Sequence, residues 1–188
     1  MAEITYFENA GSENTEKVIH LALERYKAGG IDEVIVASTY GRTARLSAKT
    51  FTGTDVRLLV FGEVLDEGQS PSREVCEELE AQGHRVIWGV HLNAMSIFTG
   101  DHSARLISEA YYRISEGFKV ACEIVLIATS QGYLRAGERV LAIAGTSRGA
   151  DTAIVASAAP ITQFKDFEVH EILCKPYRRA KARKLFPS

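Results

Sequence analysis

The chain has 188 residues, a net charge of −2 and 46% apolar residues. That suits one globular domain with a sizeable core and excludes a strong global pull toward nucleic acid or a membrane surface. The start, MAEITYFENAG, lacks the basic and apolar segments of a secretory signal, and nowhere are there about 18 consecutive apolar residues to cross a bilayer. Cys76, Cys122 and Cys174 are odd in number and far apart, with no CxxC or Cys/His spacing. They read as reduced, buried thiols of a cytoplasmic protein rather than metal ligands.

In chain order, Ile4–Phe7 is a short β-prone run followed by the turn-like ENAGSEN. Asn14 or Ser12 can cap the next helix, whose apolar face is Ile19, Ala22, Leu23 and Tyr26. Gly29-Gly30 stops it. Glu33–Ala37 (EVIVA) is a strand buried on both faces. STYGRTARLSAKTF turns directly into a second helix. Val56–Phe61 is the next strand, and 62–70 is a loop. Pro71 fits the first position of a helix capped by Ser70 and ending near Gly83. Arg85–Trp88 is a further strand. Alternating strands and helices imply a mainly parallel sheet with helices on both faces.

GVHLNAMSIFTGDHS is irregular. A helix with the face Ile107, Ala110, Tyr111 and Ile114 follows. FKVACEIVLIATSQG can be read as a long strand, but its length and the closing Gly132 favour a buried helix. Glu138–Ala144 is a strand running into GTSRGAD. Ala153–Ala158 and Phe167–Cys174 are the last strands, with some antiparallel pairing. Residues 1–176 thus form a single α/β domain, followed by a basic tail, 177–188.

Ligands of open α/β sheets bind beyond the carboxyl ends of the strands. Four segments should converge there: Glu8–Thr15, Ser38–Thr43, Gly89–Asn93 and Gly145–Thr152. Ser38, Thr39, Tyr40, Gly41, Arg42 and Thr43 lie between a strand and a helix. The helix start supplies unpaired amides, Gly41 permits close backbone approach, Ser38, Thr39 and Thr43 add hydroxyls, and Arg42 adds a cation. Those are the parts of a phosphate cradle. The bland alternative is that Ser38 or Thr39 only caps the helix. In the second loop, Gly145, Thr146, Ser147, Gly149, Ala150, Asp151 and Thr152 combine glycines, hydroxyls and an acid. Asp151 can accept from a ligand hydroxyl or ring N–H, or the glycines can merely permit a turn. The spacing matches neither a dinucleotide fingerprint nor a P-loop.

EVIVASTYGRTA with the following helix and VRLLVF resembles the start of the pyruvate kinase C-terminal domain, where a similar loop binds a phosphate of the allosteric effector. AGERVLAIAGTSRGAD resembles that domain's later part. The chain is more similar still to stand-alone pyruvate kinase α/β-domain-like proteins. The similarity rests on Glu13-Asn14-Thr15-Glu16, on Ala37–Gly41 with Thr43-Ala44, on Cys122-Glu123-Ile124 and on Ser147–Ala153. The resemblance implies a three-layer α/β/α fold with a mainly parallel mixed sheet, and bound flavin mononucleotide (FMN). On that reading the first loop receives the flavin phosphate. The second lines the ribityl chain or ring, and Asn14 and Thr15 complete a polar wall. An oxidoreductase or a non-catalytic sensor of a phosphorylated metabolite would follow. Pyruvate kinase activity is not expected, since no catalytic barrel is present.

His91 follows the strand RVIW and should emerge near the crevice, as a flavin contact, a proton donor or a structural histidine. Glu123, an acid in an apolar helix, is read as half of an ion pair. Asp101 and His102 can form a catalytic pair, but Asp101 is read as a helix cap; Trp88 and Met95 can lie against a flat ring and are read as core. The tail cations Lys175, Arg178, Arg179, Lys181, Arg183 and Lys184 read as solvated, so no nucleic-acid partner is expected. FEVHEILC, as a terminal strand, offers pairing with a second copy.

Overall fold

The computed structural model describes residues 3–63, 71–90 and 103–179. Its elements are β1 (Thr5–Asn9), α1 (Thr15–Lys27), β2 (Glu33–Ala37), α2 (Arg42–Thr50), β3 (Leu58–Glu63), α3 (Arg73–Ala81) and β4 (Arg85–Gly89). After these come α4 (Ser103–Tyr112), α5 (Glu116–Ser130), β5 (Arg139–Ala144), β6 (Thr152–Ser157) and β7 (Glu168–Arg178). Short 3₁₀ turns occupy Ser12–Asn14 and Ile161–Asp166.

The strands form one sheet in the order β1-β7-β6-β5-β2-β3-β4. β6 runs antiparallel to both of its neighbours, and all other pairs are parallel. Alternation along each strand divides the side chains between two cores. Val34, Val36, Leu58, Val60, Leu141 and Ile143 face α1, α2 and α3. Ile35, Leu59, Phe61, Val140, Ala142 and Ile154 face α5. α4 packs on α5 through the edge-to-face rings of Tyr111 and Phe118, with centroids 5.6 Å apart. The expected three-layer α/β fold with a mainly parallel mixed sheet is therefore observed. Each fully enclosed aliphatic side chain, Ile35 for example, contributes about 1.5–3 kcal/mol by leaving water.

The segment readable as strand or helix is helical. α5 is buried almost all round because the sheet lies beneath it and α4 against it. Ser115 caps it, its Oγ accepting the Phe118 amide at 2.9 Å. A helix buried on all sides loses its amphipathic stripe, so length was the better guide.

Several boundaries differ from expectation. β3 begins at Leu58, not Val56. The α3 cap is Ser72, whose Oγ accepts the Val75 amide, so Pro71 precedes the cap instead of opening the helix. Ile114 lies past the end of α4. β7 continues through Tyr177 and Arg178, two residues assigned above to the tail, and it lies between β1 and β6. It is not an edge strand, so the reason given for pairing with a second copy through FEVHEILC does not hold. The open edges belong to β1 and β4. Trp88, expected in the core, is 37% exposed and lies over Gly62 on the edge strand. His91, Met95, Asp101, His102 and the tail beyond 179 lie outside the described residues. No helix among the described residues is long and apolar enough to cross a membrane.

Candidate functional site

β2 and β5 are parallel neighbours, so the loops that follow them emerge side by side. α1 begins beside the second of these loops, because the Thr15 Oγ1 accepts the Ala150 amide at 3.0 Å. Three of the four segments expected to converge therefore do so. The fourth, beyond Val90, is not described.

The first loop is shaped by Gly41. Its φ of 81° is left-handed, and a Cβ there would strike the Val75 side chain. Glycine is required both by conformation and by contact. The Ser38 amide bonds the Phe61 carbonyl at 3.0 Å, which ties the loop to β3. The Ser38 Oγ accepts the Ala44 amide at 3.1 Å, inside the protein. Ser38 and Thr43 are buried. The Ser38 hydroxyl oxygen therefore caps the first turn of α2 from within the protein. The amides of Gly41, Arg42 and Thr43 meet no acceptor among the described residues. They sit at the positive end of the α2 dipole. Thr39 is half-buried, and Tyr40 and Arg42 are exposed.

The second loop is stapled from below by Asp151, which is fully buried. Its Oδ2 accepts the amides of Gly11 at 3.2 Å and Thr146 at 3.1 Å. Its Oδ1 accepts the Thr152 hydroxyl at 2.8 Å. The Thr152 oxygen lies 3.2 Å from the Ser115 hydroxyl. Since Thr152 donates to Asp151 and Ser115 accepts from Phe118, Ser115 is the donor between them. A one-way chain of hydrogen bonds thus runs from the first turn of α5 to the carboxylate. Burial pushes the Asp151 carboxyl above the usual range, against the opposing pull of these donors. Asp151 was expected to accept from a ligand, but its oxygens serve the protein itself.

At the tip, Ser147 has φ 64°, the one positive value outside glycine among the described residues. The Arg148 amide bonds the Thr146 carbonyl at 2.7 Å, closing a γ-turn of the strained hand. Gly149, at φ 75°, lies so close to Ser12 and Thr15 that no Cβ fits. Gly145 likewise packs on the backbone of Gly149 and Ala150. The guanidinium of Arg148 lies 5.4 Å from the centre of the Tyr40 ring, spanning the two loops.

The expected site residues therefore divide into two shells. Thr15, Ser38, Thr43, Ala150, Asp151 and Thr152 are buried beneath the crevice and hold it in shape. Asn14 turns back, its Nδ2 donating to the carbonyls of Asn9 and Gly11, and so forms no polar wall facing outward. Thr39, Tyr40, Arg42, Ser147 and part of Gly145, Thr146 and Gly149 reach the surface. Sequence reasoning missed Gly11, Ser115, Gly117 and Arg148. Gly117 is needed because a side chain there would strike Asp151 and Thr152. A glycine in the first turn of a capped helix was the readable sign.

Two clefts lie away from this crevice. One, of about 530 Å³, is at the amino edge of the sheet beside Glu33, Arg57, His84 and Arg85. The other, of about 330 Å³, separates α1 from α2. No cluster of metal-ligating side chains occurs among the described residues. All three cysteines are free thiols; Cys122 and Cys174 are buried and Cys76 is half-buried, and burial pushes each above its ordinary value.

A pyruvate kinase from Cryptosporidium parvum is a structural neighbour at 18% identity and a TM-score of 0.42, over 77% of this chain and 23% of that one. This chain thus spans less than a quarter of that enzyme's length. An O-ureido-L-serine synthase matches at 16% identity and a TM-score of 0.31, over 54% of this chain and 30% of that one. Neither similarity is close enough to carry an argument. The family model for the pyruvate kinase alpha/beta domain matches residues 16–156, well over half of the sequence. The chain therefore belongs to the pyruvate kinase alpha/beta domain family.

Proposed function

We propose that this chain binds a phosphorylated small molecule, FMN, in the crevice between Ser38–Thr43 and Gly145–Thr152. The observation that carries the reading is the start of α2. There the amides of Gly41, Arg42 and Thr43 have no acceptor among the described residues, and exposed Arg42 and Arg148 flank them. A phosphate fits that chemistry. Family membership agrees, since the corresponding pyruvate kinase loop takes an effector phosphate.

When bound, flavin would supply electron or hydride transfer. The chain's own part is to hold the phosphate through α2 and to keep the second loop rigid through Asp151. Purified protein should be yellow and should release flavin on denaturation. Protein that stays colourless after incubation with FMN would remove the flavin.

A second reading is a sensor of a phosphorylated metabolite with no redox step. It is favoured by the enclosure of Asp151, the one acid of the two crevice loops, which is sealed from solvent. It predicts a thermal shift with a sugar phosphate or nucleotide and no turnover of NADH or NADPH.

A further inference from the structure

We infer that Arg148 is the residue by which the crevice selects a doubly charged phosphate monoester, exchanging its contact with Tyr40 for the ligand. This rests on the reading of the crevice as a phosphate site. The amides at the start of α2 present partial charges, equivalent to about half an elementary charge for a whole helix end. A phosphate monoester near neutral pH carries nearly two negative charges. The remainder calls for a cation from outside the helix.

Arg148 is placed for that task by three observations. Its backbone is pinned on both sides, by the γ-turn at Ser147 and by Gly149 wedged against Ser12 and Thr15. Its side chain is exposed and makes no ion pair among the described residues. Among the described residues it crosses the crevice to the ring of Tyr40, 5.4 Å away, directly before Gly41. An exposed cation–ring contact is weaker than a charge-assisted hydrogen bond from guanidinium to phosphate. The exchange is therefore downhill, and the Ser147 turn gains a reason. A non-glycine residue held at positive φ is costly and persists where the surroundings demand it. Here the turn keeps the arginine facing the opposite loop. Arg42 is also exposed, but it belongs to the helix turn itself.

The test is calorimetric titration with ribose 5-phosphate and with FMN, from about pH 5 to about pH 7.5, spanning the second phosphate ionisation near about 6. Wild-type affinity should rise by about tenfold across that range, as a second charge becomes available to a guanidinium. Arg148→Gln should lose most of that rise, weakening binding far more at the neutral end than at the acid end, while keeping its melting temperature. Arg148→Lys should restore part of it. Tyr40→Leu, which frees the arginine, should bind the dianion at least as tightly as wild type. A wild-type pH profile in Arg148→Gln, or equal weakening at both ends of the range, would overturn the assignment. So would a fall of Tyr40→Leu to the Arg148→Gln level. Failure of the wild type to bind either probe would instead remove the phosphate reading, and this inference with it.

Discussion

Asp151 and the Lys119–Glu123 pair are both sealed from water, yet they are held in opposite ways. Asp151 carries a charge satisfied by neutral donors, two from its own loop and one, the Gly11 amide, from 140 residues away. Lys119 and Glu123 satisfy one another within a single turn of α5, at 2.6 Å, each with 2% of its side chain exposed. Ser108 of α4 adds a bond to Glu123 at 2.9 Å, and the Tyr112 ring lies 5.5 Å from the Lys119 ammonium. The first arrangement joins loops that would otherwise be independent. The second fixes one helix against its neighbour. A buried charge can thus organise a fold at long range or only locally, and the difference lies in where its partners sit along the chain.

The largest expected effect is on the local pair. Lys119→Met removes the buried cation beside Glu123 and should cost about 3–5 kcal/mol in urea denaturation. Replacing both residues by apolar ones, Lys119→Met with Glu123→Leu, should recover most of that loss. If the double variant is no better than the single one, the pair is more than a local device and the contrast fails.

Asp151→Ala strips the acceptor from two amides and a hydroxyl and should cost about 3 kcal/mol. Hydrogen exchange should then quicken at Gly11 and Thr146, while α5 stays protected. Uniform loss of protection would erase the distinction between stapled loops and helix.

The same contrast explains what could be read in advance. An i, i+4 acid and base in an apolar helix has one natural partner for each charge, so Glu123 was legible as an ion pair. The strands and helices were legible as well, from β-branched runs and from glycines at helix ends. Asp151 was not, because its partners depend on two distant segments meeting, and no spacing in GTSRGAD records that Gly11 donates to it. Its acid among glycines resembled a ligand group when it was a staple. The Tyr40–Arg148 contact was hidden for the same reason. Trp88 was misjudged because an aromatic residue on a strand reads the same at the sheet edge as at its centre.

A smaller effect tests the wedge under the second loop. Gly149→Ala forces a side chain onto Thr15 at a positive φ and should cost about 1–3 kcal/mol. It should also weaken phosphate binding more than it lowers the melting temperature.

The smallest effect concerns Arg25 and Glu171, which join α1 to β7 through three hydrogen bonds at 2.8, 2.9 and 3.0 Å. The hydrogen bond from Arg25 holds the Glu171 carboxyl below its ordinary value. Its contribution, about 1 kcal/mol, is present above the usual glutamate value and is lost as pH falls through the lowered one. Glu171→Gln should differ from wild type at neutral pH and converge with it in acid. A constant gap across the pH series would show that packing, not charge, carries the link.

β5 and β6 pair without a register shift from Arg139 with Ser157 to Ala144 with Thr152. The crevice loop between them is therefore a short cap on a rigid hairpin at the centre of the sheet. Substitutions at 147 and 148, between the Thr146 and Gly149 anchors, leave the closed ladder beneath them unchanged. That gives evolution, or an engineer, a place to rewrite ligand preference while the scaffold stays constant.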